Sequence, residues 1–193
     1  MDSLEKKIYK NGYKYIVGID EAGRGPIAGP LVISAVIFKY NQKPFVYADS
    51  KKLSPKERDS LYNEILENAL DYSIVVVDNE KIDSLGISSA LKEGIYKAIE
   101  KLYIKPDYAI LDFINIELGI DSISIPKADE VSHTVAAASI LSKITRDRIM
   151  EDYSKIYPNF SFDKHKGYPT KQHYQEIKIY GITPIHRKSY RLF

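Results

Sequence analysis

Residues 15–38 of this chain read YIVGIDEAGRGPIAGPLVISAVIF, and they restrict its fold more than any other stretch. An apolar run ends in two adjacent carboxylates, Asp20 and Glu21, and a turn of small residues follows with one arginine inside it, Gly23-Arg24-Gly25. A second apolar run then begins at Leu31. Runs this apolar make strands that must be covered on both faces, so helices have to supply the cover. Acid at a strand end, beside a turn that permits close backbone approach, is also what a metal-dependent phosphodiesterase requires. The plainer alternative, two solvated charges ending a strand, weakens once the rest of the chain is read.

The length of 193 residues suits one domain with a substantial core. We therefore expect a single domain over 1–193, with 158–193 as a C-terminal substrate-binding extension. There is no cysteine, so disulfides and thiolate zinc sites are excluded, which fits a cytoplasmic location. No apolar stretch is long enough to span a bilayer, and the charged start MDSLEKKIYKNGYKY has no signal-peptide core. Net charge is only +2, so basicity must be local to matter. From Lys164 onward seven basic residues (Lys164, Lys166, Lys171, Lys178, Arg187, Lys188 and Arg191) face one acid, Glu176, with tyrosines and histidines interleaved. That pattern is an electrostatic footprint for nucleic acid, or else a solvated helical face.

The periodicities predict strands at Tyr15–Asp20 and Leu31–Lys39, a short one at Phe45–Ala48, and others at Tyr72–Val77, Tyr108–Asp112 and Ser122–Ile125. Ser54-Pro55-Lys56-Glu57 is a helix start with a capping box. Apolar stripes at Leu61, Ile65, Leu66, Ala69 and Leu70, and at Leu91, Ile95, Ala98, Ile99 and Leu102, mark two helices. A long helix runs from Val131 to about Tyr157 and is ended by Pro158. A last helix is capped by Thr170 and stopped by Gly181. Strands first, then strands alternating with helices, give an α/β fold with a central mixed β-sheet flanked by helices.

Four acids occupy suggestive positions: Asp20 and Glu21 after the first strand, Asp112 at the end of Tyr108–Asp112, and Asp129 just before the long helix. Carboxylates converging from adjacent strand ends repel unless a divalent cation neutralises them, and Mg2+ or Mn2+ are the natural guests for oxygen ligands. Zinc does not fit. His165 and His173 stand eight apart, His133 and His186 are remote along the chain, and each reads as a packing or surface residue. Gly23–Ala28 matches the G-x-G-x-x-A dinucleotide fingerprint only formally, because Pro26 and Pro30 intervene and a strand follows instead of a helix. The loop instead offers backbone groups to something lying alongside. Lys51 and Lys52, before a helix N-terminus, are candidate phosphate contacts. Ala136–Ala138 predict close helix packing, and we read Lys127, Ser139, Lys143 and Arg146 as structural neighbours of it.

Together these pieces resemble the ribonuclease HII family, from about Tyr15 to Tyr190. The likeness rests on GIDEAGRGPxxGP, DSKKLS, KADE before AAASILSKITRD, HKGYPT and PIHRKSY. The resemblance implies a ribonuclease H-like fold with a helical C-terminal extension. It implies a monomeric endonuclease acting on RNA–DNA hybrids and on duplex DNA containing single ribonucleotides, with 5′-phosphate and 3′-hydroxyl products and two Mn2+ or Mg2+ ions. It assigns catalysis and metal binding to Asp20, Glu21, Asp112 and Asp129, substrate contact to Gly23, Arg24 and Gly25, and sensing of the sugar to Tyr168. The chain departs from the family pattern at Phe113-Ile114-Asn115 after Asp112, at Pro169 after Tyr168, and in its short tail after Tyr190. A ribonuclease H-like nuclease for DNA structures, or a non-catalytic nucleic-acid-binding module, are the competing readings. Four acids with no metal would repel phosphate, which disfavours the last.

Overall fold

In the computed structural model, residues 4–40 and 55–192 are described. The expected strand at Phe45–Ala48, the cap Ser54 and the lysines Lys51 and Lys52 lie outside them. Along the chain run α1 (Leu4–Lys10), β1 (Ile16–Ala22), β2 (Leu31–Ile37), α2 (Pro55–Asn68), β3 (Asp71–Val77), α3 (Asn79–Leu85), α4 (Ile87–Glu100), β4 (Tyr108–Asp112), β5 (Asp121–Ile125), α5 (His133–Ile156), α6 (Phe162–His165) and α7 (Lys171–Tyr180). Three short helices, α1, α3 and α6, are additions to the sequence reading. Helices of one or two turns are marginal on their own and depend on tertiary anchoring, so they leave a weak periodic signal. Asp78 caps α3 by accepting from the Lys81 amide, and Gly86, at φ 76°, separates α3 from α4.

The five strands form one mixed sheet in the order β3-β2-β1-β4-β5. β1 and β2 pair antiparallel, as do β2 and β3, whereas β1–β4 and β4–β5 are parallel. Both faces are covered, as the apolar runs require. On one face Val17, Ile19, Ile33, Ala35, Ala109 and Leu111 pack with Ala90, Leu91, Ile95 and Ala98 of α4 and Ile82 of α3. On the other, Ile16, Val36 and Ile110 meet Val135, Ala137, Ala138 and Leu141 of α5, flanked by Ile65 of α2 and Ile8 of α1. Each fully buried aliphatic side chain contributes roughly 1.5–3 kcal/mol, so these two layers dominate the stability.

Gly18 sets how closely α5 lies on β1. A Cβ there would sit 2.2 Å from the Thr134 carbonyl carbon. With no side chain at position 18, the helix settles directly onto the strand. The buried alanines Ala136–Ala138 complete that close contact, as their small size predicts. Alternation along β1 then turns Asp20 toward the same α5 face.

Candidate active site

The acids gather at one end of the sheet. Ile19 of β1 pairs with Leu111 of β4 in parallel register, so the next residues, Asp20 and Asp112, lie side by side on neighbouring strands, Asp112 at the end of β4 and Asp20 two residues before the end of β1. Asp20 is buried, accepts from the Glu21 amide at 2.8 Å, and receives a hydrogen bond from Ser139 of α5. Its carboxyl is pushed up to about 7, by burial first and then by the charges of Glu21 and Asp112, against the opposing hydrogen bonds. Burial and the Asp112 charge likewise raise Glu21, while the ion pair with Arg24 works against them. Oε2 of Glu21 is buried and has no hydrogen-bond partner.

Asp112 Oδ1 accepts from the Ala128 amide at 3.1 Å. Ala128 opens a 3-10 turn, Ala128–Glu130, which carries Asp129 at the surface just ahead of α5. Lys127 enters that turn in a left-handed conformation, at φ 56°. The turn bearing the fourth acid is therefore tied to the strand end bearing the third. Among the described residues no group of three or more His, Cys, Asp or Glu side chains is arranged so that it could hold a metal ion. The donor set nevertheless suits a hard divalent cation. Asp20, Glu21 and Asp112 stand close enough to raise one another with Arg24 paired to Glu21 alone, one Glu21 oxygen is buried without a hydrogen bond, and all donors are oxygens. Mg2+ and Mn2+ keep several waters and complete their shells with substrate phosphate, so a preformed protein cage is not needed.

Beside the acids, residues 23–30 form a loop held from behind by two buried arginines. Arg187 donates from Nη2 to the Gly23 and Pro30 carbonyls (2.7 and 3.1 Å), from Nη1 to the Arg24 carbonyl (3.2 Å) and from Nε to the Gly29 carbonyl (3.0 Å). Arg146 donates to the carbonyls of Pro30, Lys166 and Ala28. Gly23, at φ 109°, leaves no room for a side chain, since a Cβ would lie 2.5 Å from Arg146 Nε. Burial and the neighbouring Arg187 charge lower Arg146 to about 10, which still leaves it cationic at neutral pH. This corrects the basic footprint read from the sequence: Arg187 is fully buried and structural. Lys166 is paired with Glu151. Lys164, Lys171, Lys178 and Lys188 remain exposed.

Tyr168 comes to this loop. Its ring carbon Cε1 lies 3.7 Å from where a Cβ on Gly25 would be, and the ring stands over the Arg146 guanidinium, 5.7 Å from centroid to Cζ. The residue is 42% exposed, so part of it is open to solvent. Three of the histidines are packing residues, one of the two readings the sequence allowed, and the structure joins them in one cluster. His186, remote from His173 along the chain, touches it in space, the two Nε2 atoms being 3.0 Å apart. His165 stacks on His173 with ring centroids 4.1 Å apart. Sequence spacing gave no sign of this cluster, which forms only when α6, α7 and the tail pack together around Phe160 and Phe162.

The ribonuclease HII family model matches residues 17–193. The chain belongs to the ribonuclease HII family. A ribonuclease HII from Sulfurihydrogenibium sp. is 55% identical over 192 residues, covering 100% of this chain and 98% of that protein. The crystal structure of ribonuclease H2 from Pyrococcus horikoshii superposes with a TM-score of 0.78 at 27% identity, over 92% of this chain and 94% of that one. The Bst ribonuclease HIII structure in complex with Mn2+ has a TM-score of 0.68 at 18% identity, over 95% of this chain and 69% of that one, and shares the fold. The ribonuclease H-like architecture expected from the sequence is thus the observed one. As a ribonuclease HII the protein is an endonuclease of the hydrolase class. Among the described residues no helix is long and apolar enough to cross a membrane.

Proposed function

We propose that this ribonuclease HII cuts the RNA strand of RNA–DNA hybrids and also cuts at single ribonucleotides embedded in duplex DNA. The observation that carries this reading is the adjacency of two features at one sheet end. Mutually repelling acids, Asp20, Glu21 and Asp112, stand beside a clamped glycine loop with a partly exposed tyrosine against it.

Asp20, Glu21, Asp112 and Asp129 would hold the divalent ions, Mg2+ or Mn2+. Such ions, when bound, lower the pKa of a water and stabilise an oxyanion leaving group. The protein's own part is positional. Burial and mutual repulsion keep the acids ready to release their strain to a cation. Arg24 holds Glu21 meanwhile. The Asp112 hydrogen bond to Ala128 fixes the Asp129 turn. Only the 2′-hydroxyl distinguishes RNA from DNA at a given nucleotide, and the backbone of Gly23–Gly25 would read it, because glycine allows close approach. Tyr168 would stack on the sugar or base at the junction. The exposed lysines would contact phosphate without reading sequence. The protein would act as a cytoplasmic monomer, one domain with 158–193 as its substrate-binding extension.

A cleavage assay on duplex DNA with one ribonucleotide, with all-DNA duplex as control and with Mg2+, Mn2+ or chelator present, tests this. The wild type is expected to cut only the ribonucleotide-containing duplex, leaving 5′-phosphate and 3′-hydroxyl ends, and only with metal. Asp20→Asn should lose cleavage by at least about 100-fold while still binding the duplex. Wild-type turnover by Asp20→Asn, or equal cutting of all-DNA duplex, would overturn the reading.

A further inference from the structure

We propose that His173 and His186 are positioning residues for Tyr168. They would form a one-way hydrogen-bond relay, from the Thr183 amide through both imidazoles to the Tyr168 carbonyl, that requires two neutral rings in opposite tautomers. This rests on the reading of Tyr168 as the junction sensor and deepens it.

The direction of the relay follows from its two ends. The Thr183 amide can only donate, and it points at His186 Nδ1 at 2.9 Å, so that nitrogen carries a lone pair. The proton of neutral His186 is then on Nε2, which donates to His173 Nε2 at 3.0 Å. That leaves the His173 proton on Nδ1, which donates to the Tyr168 carbonyl at 2.9 Å. A carbonyl can only accept, so both ends require the same direction. A second proton on His173 would set N–H against N–H between the two rings, and one on His186 Nδ1 would do so against the Thr183 amide, leaving only the Thr183 hydroxyl, 2.8 Å away, to accept it.

The surroundings favour the neutral forms. The rings pack against Phe160 and Phe162, and His165 stacks on His173. Burial pushes both His173 and His186 down to about 4. The Glu176 charge works the other way on His173, but its carboxylate is engaged by the Ser161 amide, by Gln172 and by His165 Nε2. His165 is fixed in the same manner. Its Nδ1 accepts from the Gly167 amide at 3.1 Å, so its Nε2 donates to Glu176.

The relay ends where recognition is proposed to begin. The Tyr168 amide donates to the His165 carbonyl at 2.8 Å, and its own carbonyl also accepts from the Thr170 amide at 2.8 Å. His173 supplies the remaining bond, and the backbone so held presents the ring beside Gly25.

Two measurements test the relay. Long-range 1H–15N spectra of the wild-type protein should show His186 protonated at Nε2, His173 protonated at Nδ1, and neither ring titrating down to about pH 5. His173 protonated at Nε2, or titrating near its ordinary value, would overturn the proposal whatever the variants do. The second measurement is kinetic, on duplex DNA with one ribonucleotide and on a hybrid with an all-RNA strand. His173→Phe should raise KM for the single ribonucleotide about five- to tenfold, with a smaller change in kcat. His173→Asn, whose amide N–H can occupy the place of Nδ1–H, should recover most of that loss. Equal losses on both substrates, or no recovery by His173→Asn, would reduce the histidines to scaffold. Should Tyr168→Ala prove harmless while the spectra show the stated tautomers, the reading of Tyr168 fails and the positioning role falls with it.

Discussion

Asp20 and Tyr168 do opposite things with exposure. Asp20 is buried beside like charges, so its carboxyl sits near 7 and it favours any cation that can enter. Tyr168 has its backbone clamped and is partly open to solvent. The ring, and not the hydroxyl, is what a sugar or base can stack on, and such stacking is worth about 1–3 kcal/mol. Tyr168→Ala is therefore expected to lose about 5- to 100-fold in activity on a single embedded ribonucleotide, with Tyr168→Phe close to wild type. Steady-state kinetics on that substrate check this, and metal affinity should be the same in both variants.

At the scale of elements, the long helix α5 depends on the short helix α1, which the sequence pattern did not reveal. Ser132 caps α5 by accepting from the Val135 amide. Glu5 of α1 reinforces that start. It is fully buried, and its Oε1 accepts from the Ser132 hydroxyl (2.7 Å) and from the Thr134 amide and hydroxyl (3.2 Å each). His133 Nδ1 stands 3.1 Å from Glu5 Oε2. Burial alone would raise the Glu5 carboxyl, but His133 and Ser132 outweigh it and hold it at about 2, below its ordinary 4.5. A depressed carboxyl stabilises the fold above its unfolded value and loses that contribution as pH falls through its folded value. Glu5 should therefore contribute about 2–4 kcal/mol near neutral pH, lost between about pH 4.5 and 2. Glu5→Gln should lower Tm at pH 7 by about 5–15 °C and remove this part of the acid destabilisation. Thermal unfolding across that pH range checks both.

At the scale of the whole molecule, the chain's tail locks its beginning. Arg187 spans four carbonyls of the Gly23–Pro30 loop, and the Tyr190 hydroxyl adds a bond to Arg24. The planar fork of arginine can serve several acceptors at once, whereas lysine is a single point charge. Arg187→Lys should cost about 3 kcal/mol of stability and leave the phosphate footprint intact. Exposed Lys171 should behave in the opposite sense: Lys171→Ala should leave Tm unchanged and reduce the slope of log K against log salt by about one. Salt-dependent duplex binding and melting curves separate the two roles.

By itself the sequence determined the mixed sheet, the long helix with its alanine seam, the caps at Thr170 and Gly181, the family, and the strand-end place of Asp112, whereas Asp20 and Glu21, expected after the first strand, lie within β1, which pairs with β2 as far as Ala22. These follow from local rules: apolar periodicity, turn chemistry and a dense run of motifs. The tertiary structure alone decided which basic residues face solvent, because Lys188 and the buried Arg187 are adjacent and look alike in sequence. It also decided the histidine cluster, since His165, His173 and His186 meet only when three segments pack together. The same holds for Glu5, whose partners lie more than a hundred residues away at the start of α5. Periodicity reports which face of one element is apolar. Which buried charge meets which carbonyl depends on distant segments being brought together, and no local pattern encodes that.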